Sequence, residues 1–143
     1  MGNKTYDSRP PRVDQVLLAR VEALGASLRP TPVVRLANPR MTLFAKLEYL
    51  SVVGSLKDRA AYFMLRDAIR RGLVRRTTTV IESSSGNTGA ALAVFCRILG
   101  VTFLPVVDPN IQSHYQGILE SACARVVRVD ERDEAGGYLK TRL

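Results

Sequence analysis

Two short stretches hold the residues of this 143-residue chain whose types and spacing could do chemistry. The first is Glu82-Ser83-Ser84-Ser85-Gly86-Asn87-Thr88-Gly89, which follows a β-branched run over 77–81 and opens a helical run over 90–99. A strand feeding a hydroxyl-rich turn at a helix start gathers N–H groups, hydroxyls and the positive end of the helix dipole in one small volume. Such a volume suits a carboxylate or a phosphate oxygen equally well. The second stretch is Gly54-Ser55-Leu56-Lys57-Asp58-Arg59. It places Lys57 at the start of a helix, just after a Gly-Ser turn. The positive end of a helix dipole disfavours an ammonium beside it, and the neutral amine is the form that attacks a carbonyl carbon. On this segment alone, an ordinary first-turn lysine facing water is the simpler reading. Ser55 can either cap the helix or reach an anion in front of it. Asp58 and Arg59 are most simply a dipole-complementing acid and a solvated base. The Ser-x-x-Lys pattern of penicillin-recognising enzymes does not fit, because the spacing here is two and no Ser-Asp-Asn or Lys-Thr-Gly accompanies it.

These residues need elements to position them. Residues 1–12 read as a mobile arm stiffened by Pro10-Pro11. Asp14 is placed to cap a helix carrying Leu17, Leu18, Val21 and Leu24 on one face and ending at Gly25. Strands are expected over 33–36 and 42–47, with the Asn38-Pro39 turn between them. From Lys57 a helix follows with Ala60, Ala61, Met64, Leu65, Ala68 and Ile69 on one stripe and Gly72 as its stop. A strand over 78–81, a helix over 88–99, a strand over 101–107, a helix over 113–122 and a strand over 125–129 complete the pattern. Strands alternating with helices of about ten residues predict βαβ units and a parallel sheet covered on both faces. Residues 138–143 look like the first turns of one more helix, too short to stand alone.

Composition narrows the function. Hydrophobic residues make up 46% and charged residues 24%, a globular balance outside the disordered class. The longest apolar run, 90–96, is far short of a membrane span, and the first twenty residues carry charges in place of a signal core. A cytoplasmic protein with no membrane partner is expected. The net charge of +8 raises nucleic acid as a partner. However, Arg66, Arg70, Arg71, Arg75 and Arg76 gather around one helix end without interleaved aromatics, so a solvated basic face is expected instead. His114 is the only histidine and Cys96 and Cys123 are isolated, so no metal site is expected. Each cysteine reads as a small buried side chain on a helix.

Taken together, the Lys57 and serine-turn motifs resemble the fold-type-II pyridoxal-phosphate enzymes, the cysteine synthase family. Thr31-Pro32-Val33-Val34-Arg35-Leu36 is similar to the family's opening segment and Ala45-Lys46-Leu47-Glu48 to its first small-domain strand. The resemblance covers residues 28–143. It implies an α/β fold with a parallel three-layer sheet of the tryptophan synthase β / cysteine synthase type. Residues 1–40 would be the arm and opening segment of the large domain and 41–143 the small domain, with the C-terminal large-domain half absent. It also implies pyridoxal 5′-phosphate as cofactor, amino acids as small-molecule substrates and a homodimer in full-length form. By resemblance, Lys57 holds the cofactor as a Schiff base and moves the α-proton. Asn87 bonds the cofactor's ring hydroxyl, and Ser84, Ser85, Gly86 and Thr88 grip the substrate carboxylate. The implied reaction is β-replacement on an O-activated L-serine.

Within the family, Val107-Asp108-Pro109-Asn110 and Gly136-Gly137-Tyr138-Leu139 look most like the N-(2-amino-2-carboxyethyl)-L-glutamate synthases of 2,3-diaminopropionate biosynthesis. For those, O-phospho-L-serine is the donor and L-glutamate the nucleophile. A cysteine synthase using sulfide and a non-catalytic truncated fragment are the alternatives. The sequence departs from the family pattern in three ways. Ser51-Val52 replaces Asn-Pro before the lysine turn. Val53 replaces a glycine and cannot easily take positive φ. The Gly/Thr-rich loop for the cofactor phosphate and the residue meeting the pyridine nitrogen belong to the C-terminal half.

Overall fold

The computed structural model describes residues 12–138. The expected arm up to Pro11 and the helical turns beyond Tyr138 lie outside the described residues. Helix α1 (Gln15–Ser27) begins where Asp14 accepts a hydrogen bond from the Leu17 N–H at 3.1 Å, and it buries Leu17, Val21 and Leu24. It does not stop at Gly25. A Cβ there would lie 2.1 Å from the Tyr62 hydroxyl, so this glycine marks a close approach rather than a helix end.

Strands β1 (Val33–Leu36) and β2 (Leu43–Lys46) form an antiparallel hairpin, with Val33 opposite Lys46 and Leu36 opposite Leu43. Helix α2 (Lys57–Arg70) packs against α1 and against α3 (Asn87–Leu99). Its buried face is Asp58, Ala61, Tyr62, Leu65 and Ile69, at i, i+3, i+4, i+7 and i+11. The expected stripe was rotated: Ala60 faces solvent and Met64 is half exposed. Tyr62 supplies the bulk that fills the seam with α1, and alanine positions carry no signal of which side that is.

The second sheet is parallel, in the order β3 (Thr79–Ser83), β4 (Thr102–Val107), β5 (Val127–Arg128). Helices α3 and α4 (Ser113–Ala122) make the two crossovers and pack on each other, and α3 packs on β4. Val80 pairs with Phe103, and this side continues through Pro105 and Val107 into the core with Phe95, Cys96, Leu99 and Leu119. Each large apolar side chain there contributes about 1.5–3 kcal/mol of burial. The opposite side carries Ile81, 60% exposed, and the half-buried Leu104 and Val106. The parallel sheet is as expected, but among the described residues its cover is complete on one face only. Cys123 also differs from expectation, as it caps α4 and is half-buried.

The arginine cluster ties α2 to α1. Arg66 and Arg70 reach Glu22 at 3.0 and 3.3 Å, and Arg76 reaches Asp14 at 2.9 Å. Glu22 beside Arg66 raises the guanidinium further above its ordinary value. No helix among the described residues is long and apolar enough to cross a membrane.

Candidate active site

Lys57 is the first residue of α2 and is half-buried. The turn before it is held from below. Asp58 is fully buried, and its carboxylate accepts the Val53 N–H at 2.6 Å and the Ser55 hydroxyl at 3.3 Å. The Ser51 hydroxyl meets the same carboxylate and also lies 3.0 Å from the Ser55 carbonyl oxygen. A buried carboxylate with three donors is a strong local anchor, because each charge-assisted bond exceeds a neutral one. The expectation of a merely dipole-complementing Asp58 is therefore corrected. Ser51, which stands in place of the family's Asn, joins this anchor.

The positive φ of the turn is carried by Gly54 at +96°, and no non-glycine residue among those described has positive φ. Val53 thus needs no strained backbone. The Leu56 side chain makes no capping bond, and Ser55, one residue earlier, uses its hydroxyl within the turn: Oγ accepts the Lys57 N–H at 3.1 Å and donates to the Asp58 carboxylate at 3.3 Å. Among the described residues, no hydrogen bond or ion pair engages the Lys57 amine. Lys46 differs, as its Nζ donates to the Thr31 carbonyl at 2.9 Å and lies 3.6 Å from Glu48.

The serine turn joins β3 to α3. Ser84 Oγ accepts the Gly89 N–H at 3.0 Å, closing the first turn of α3. Gly89 is needed there because a Cβ would stand 2.5 Å from the Ser84 carbonyl oxygen. The Ser85 hydroxyl lies 3.5 Å from the Asp108 carboxylate, which also accepts the Asn110 N–H at 2.8 Å. Gly86 is half-buried, and a Cβ built on it would meet nothing within 4 Å, so the turn is open at that point. Thr88 is half-buried and Asn87 exposed. Asn87 Oδ1 accepts the Tyr115 hydroxyl at 2.9 Å.

Lys57 and Asn87 each begin one of two packed helices, and the serine turn leads into the second. No hydrogen bond joins the two segments among the described residues. Cavities elsewhere are lined differently: one of about 760 Å³ by residues that include Arg20, Val52 and Arg97, another of about 640 Å³ by residues 35–39. Sequence reasoning missed Asp58, Ser51, Asp108 and Tyr115 as supports. Only Asp58 had an available signal, its place one residue after Lys57.

Among the described residues, an amine without a hydrogen bond or ion pair, an exposed amide and a hydroxyl-rich turn at a helix start are chemically suited to the aldehyde, the ring hydroxyl and the amino-acid carboxylate of a pyridoxal chemistry. The donor set fits the reacting end of such a cofactor.

Comparison with known proteins bears on the same residues. The profile of a family described as pyridoxal-phosphate dependent enzyme matches residues 25–142. Among solved structures, an O-acetylserine-dependent cystathionine β-synthase from Helicobacter pylori is similar, at 28% identity and TM-score 0.70. That match covers 82% of this chain and 40% of the other. An O-ureido-L-serine synthase is similar at 25% identity and TM-score 0.69, covering 87% and 39% respectively. A hydrogen sulfide-producing enzyme from Fusobacterium nucleatum is similar at 25% identity and TM-score 0.74, covering 85% and 37%. The chain spans 37–40% of the length of these relatives.

Proposed function

The chain belongs to the family of pyridoxal-phosphate dependent enzymes, and from that premise we propose that it contributes the lysine and substrate-carboxylate side of a β-replacement site for an O-activated L-serine. The observation that carries this reading is Lys57, whose amine has no hydrogen bond or ion pair among the described residues, at the head of a helix whose preceding turn is pinned by the buried Asp58. Pyridoxal phosphate, when bound, supplies an electron sink for charge developing at the substrate Cα. Lys57 would hold the cofactor through its aldehyde carbon and, once its amine is displaced by the substrate's, would be the base beside Cα. The Asn87 side-chain amide would face the ring oxygen.

Ser84, Ser85, Gly86 and Thr88 orient the substrate by its carboxylate, through hydroxyls and the N-terminal turn of α3. Holding the carboxylate would limit which Cα bond faces Lys57, and this positioning is the main contribution the chain's own residues would make. At Cβ, the bond to the leaving oxygen breaks and a nucleophile takes its place. Residues 1–40 are read as the opening of the large domain and 41–143 as the small domain, and a full-length form as a homodimer.

The donor class draws support from the similarity to an enzyme described as O-acetylserine dependent. The finer assignment is O-phospho-L-serine with L-glutamate, in diaminopropionate-type biosynthesis, and it rests on the motifs at Val107–Asn110 and Gly136–Leu139. Similarity to a hydrogen sulfide-producing enzyme favours a second reading in which sulfur chemistry replaces the glutamate step. The test is to offer O-phosphoserine and pyridoxal phosphate with L-glutamate, and separately with sulfide, and to identify products by mass. The glutamate adduct supports the first reading. Cysteine without the adduct supports the second. Neither product would overturn catalysis by this chain alone.

A further inference from the structure

We propose that the cavity between α1 and the C-terminal end of α3 is a second small-molecule site, one that takes a carboxylate carried on a short aliphatic body. It lies at the opposite end of α3 from the serine turn, about 18 Å away along a helix of 13 residues, and it stands independently of pyridoxal phosphate. The cavity measures about 760 Å³, within the range of small-molecule sites, and Arg20, Leu24, Val52, Arg97, Ile98 and Gly100 are among the residues that line it. Its first feature is positive charge without a counterpart. Arg66, Arg70 and Arg76 each reach a carboxylate. Arg20 does not: its Nη1 donates to the Leu99 carbonyl oxygen at 3.0 Å, and the rest of its donor fork is uncommitted. Among the described residues, no hydrogen bond or ion pair engages the Arg97 side chain. Gly100, at φ +73°, leaves room for this arrangement, since a Cβ built on it would press on Arg20 Nη1 at 3.0 Å.

The second feature is an apolar wall. Val52 and Ile98 are 44% and 53% exposed, and they line the same space as the two guanidiniums. Covering such side chains returns about 25 cal/mol per Å² of apolar area. Guanidiniums lacking an acid, set beside bare aliphatic side chains, select an amphipathic anion. The forks take its oxygens and the walls take its carbon chain. A single negative charge suits the place better than a dianion, because the C-terminal end of α3 adds the negative pole of its dipole.

The experiment titrates the wild-type chain, without cofactor, with hexanoate and follows methyl resonances in a ¹H–¹³C spectrum. Those of Leu24, Val52 and Ile98 should shift together and saturate, while those of Val33 and Val34 on the β1–β2 hairpin stay in place. Hexan-1-ol keeps the chain and loses the charge, and acetate does the reverse. Each should bind about fivefold or more weakly than hexanoate. Hexyl phosphate should bind no more tightly than hexanoate. Arg97→Gln should weaken hexanoate about two- to fivefold, the worth of an exposed ion pair. Arg128→Gln, at an exposed arginine outside the cavity, should leave it unchanged. Shifts that never saturate, or that spread over the whole chain, overturn the site. Equal binding of hexan-1-ol overturns the role of the arginines, and equal binding of acetate that of the apolar wall. Tighter hexyl phosphate overturns the carboxylate assignment. Equal losses in Arg97→Gln and Arg128→Gln also overturn the site, leaving only the chain's general positive charge.

Discussion

Replacing Asp58 separates two physical accounts of the turn that carries Lys57. If Asp58 were an exposed first-turn acid complementing the helix dipole, its loss would cost about 0.3–1 kcal/mol and would be masked by salt. In the structure it is fully buried, and its carboxylate accepts from Val53 N–H at 2.6 Å, from Ser55 Oγ at 3.3 Å and from the Ser51 hydroxyl. In Asp58→Ala, Ser51 can still turn to the Ser55 carbonyl oxygen at 3.0 Å, so that hydroxyl is largely recovered. The Val53 N–H is not recovered. Losing its charge-assisted bond costs about 1.5–3 kcal/mol, and the remaining orphaned donor and small void bring the total to roughly 3–4 kcal/mol. Asp58→Asn keeps an oxygen for Val53 but sets an NH₂ group among hydroxyl donors that must reorient, for about 1–2 kcal/mol.

Urea unfolding followed by far-ultraviolet circular dichroism reads this directly. With a slope of about 1–3 kcal/mol/M, Asp58→Ala should lower the midpoint by roughly 1–4 M, and Asp58→Asn by about half as much. The difference should persist in high salt, since buried pairs are screened far less than exposed ones. An Asp58→Ala midpoint within about 0.3 M of wild type, or equal effects of Ala and Asn that salt abolishes, would refute the anchoring argument.

Other consequences can be checked with the same protein. Gly89→Ala puts a Cβ 2.5 Å from the Ser84 carbonyl oxygen, so the serine turn must shift. A stability loss of about 1–3 kcal/mol is expected in thermal unfolding, and an unchanged melting temperature would contradict the close approach. Burial pushes the Cys96 thiol up to about 12 and raises Cys123 less. At pH 8 an alkylating reagent should therefore label Cys123 first and Cys96 only on unfolding, and mass mapping that finds Cys96 labelled first would be inconsistent with its burial. The hydrogen bond from Arg76, with that from the Leu17 N–H, holds the Asp14 carboxyl below its ordinary value of 3.8. The stability it contributes is fully present above that pH and is lost as pH falls through the lower folded value. Asp14→Asn should flatten the acid limb of the stability curve and leave the shape above pH 5 unchanged, and an identical acid limb would rule out this contribution.

What could be read from the sequence was what is local. Lys57 at a helix head and the serine turn between β3 and α3 are contiguous patterns, so residue type and spacing suffice to place them. Asp58 was misjudged because a first-turn acid has the same local pattern whether it faces water or the interior. Its burial depends on how the 51–55 turn folds back over it. Gly25 looked like a helix stop because glycine serves both as terminator and as a site of close packing, and only the Tyr62 ring decides between them. The stripe on α2 was rotated because Ala60 and Met64 are as apolar as the positions that α1 and α3 actually cover. Tyr115 and Asp108 act across 28 and 23 positions, contacts that no spacing rule reaches.

Lys57, among the four lysines of the chain, is the one proposed to hold the cofactor. The direct measurement is borohydride reduction of the chain in the presence of pyridoxal phosphate, followed by peptide mass mapping. A stable pyridoxyl phosphate adduct is expected on the peptide containing Lys57. Lys46, held by the Thr31 carbonyl and Glu48, should remain unmodified. Adducts spread evenly over Lys4, Lys46, Lys57 and Lys140, or an adduct pattern unchanged in Lys57→Ala, would contradict it.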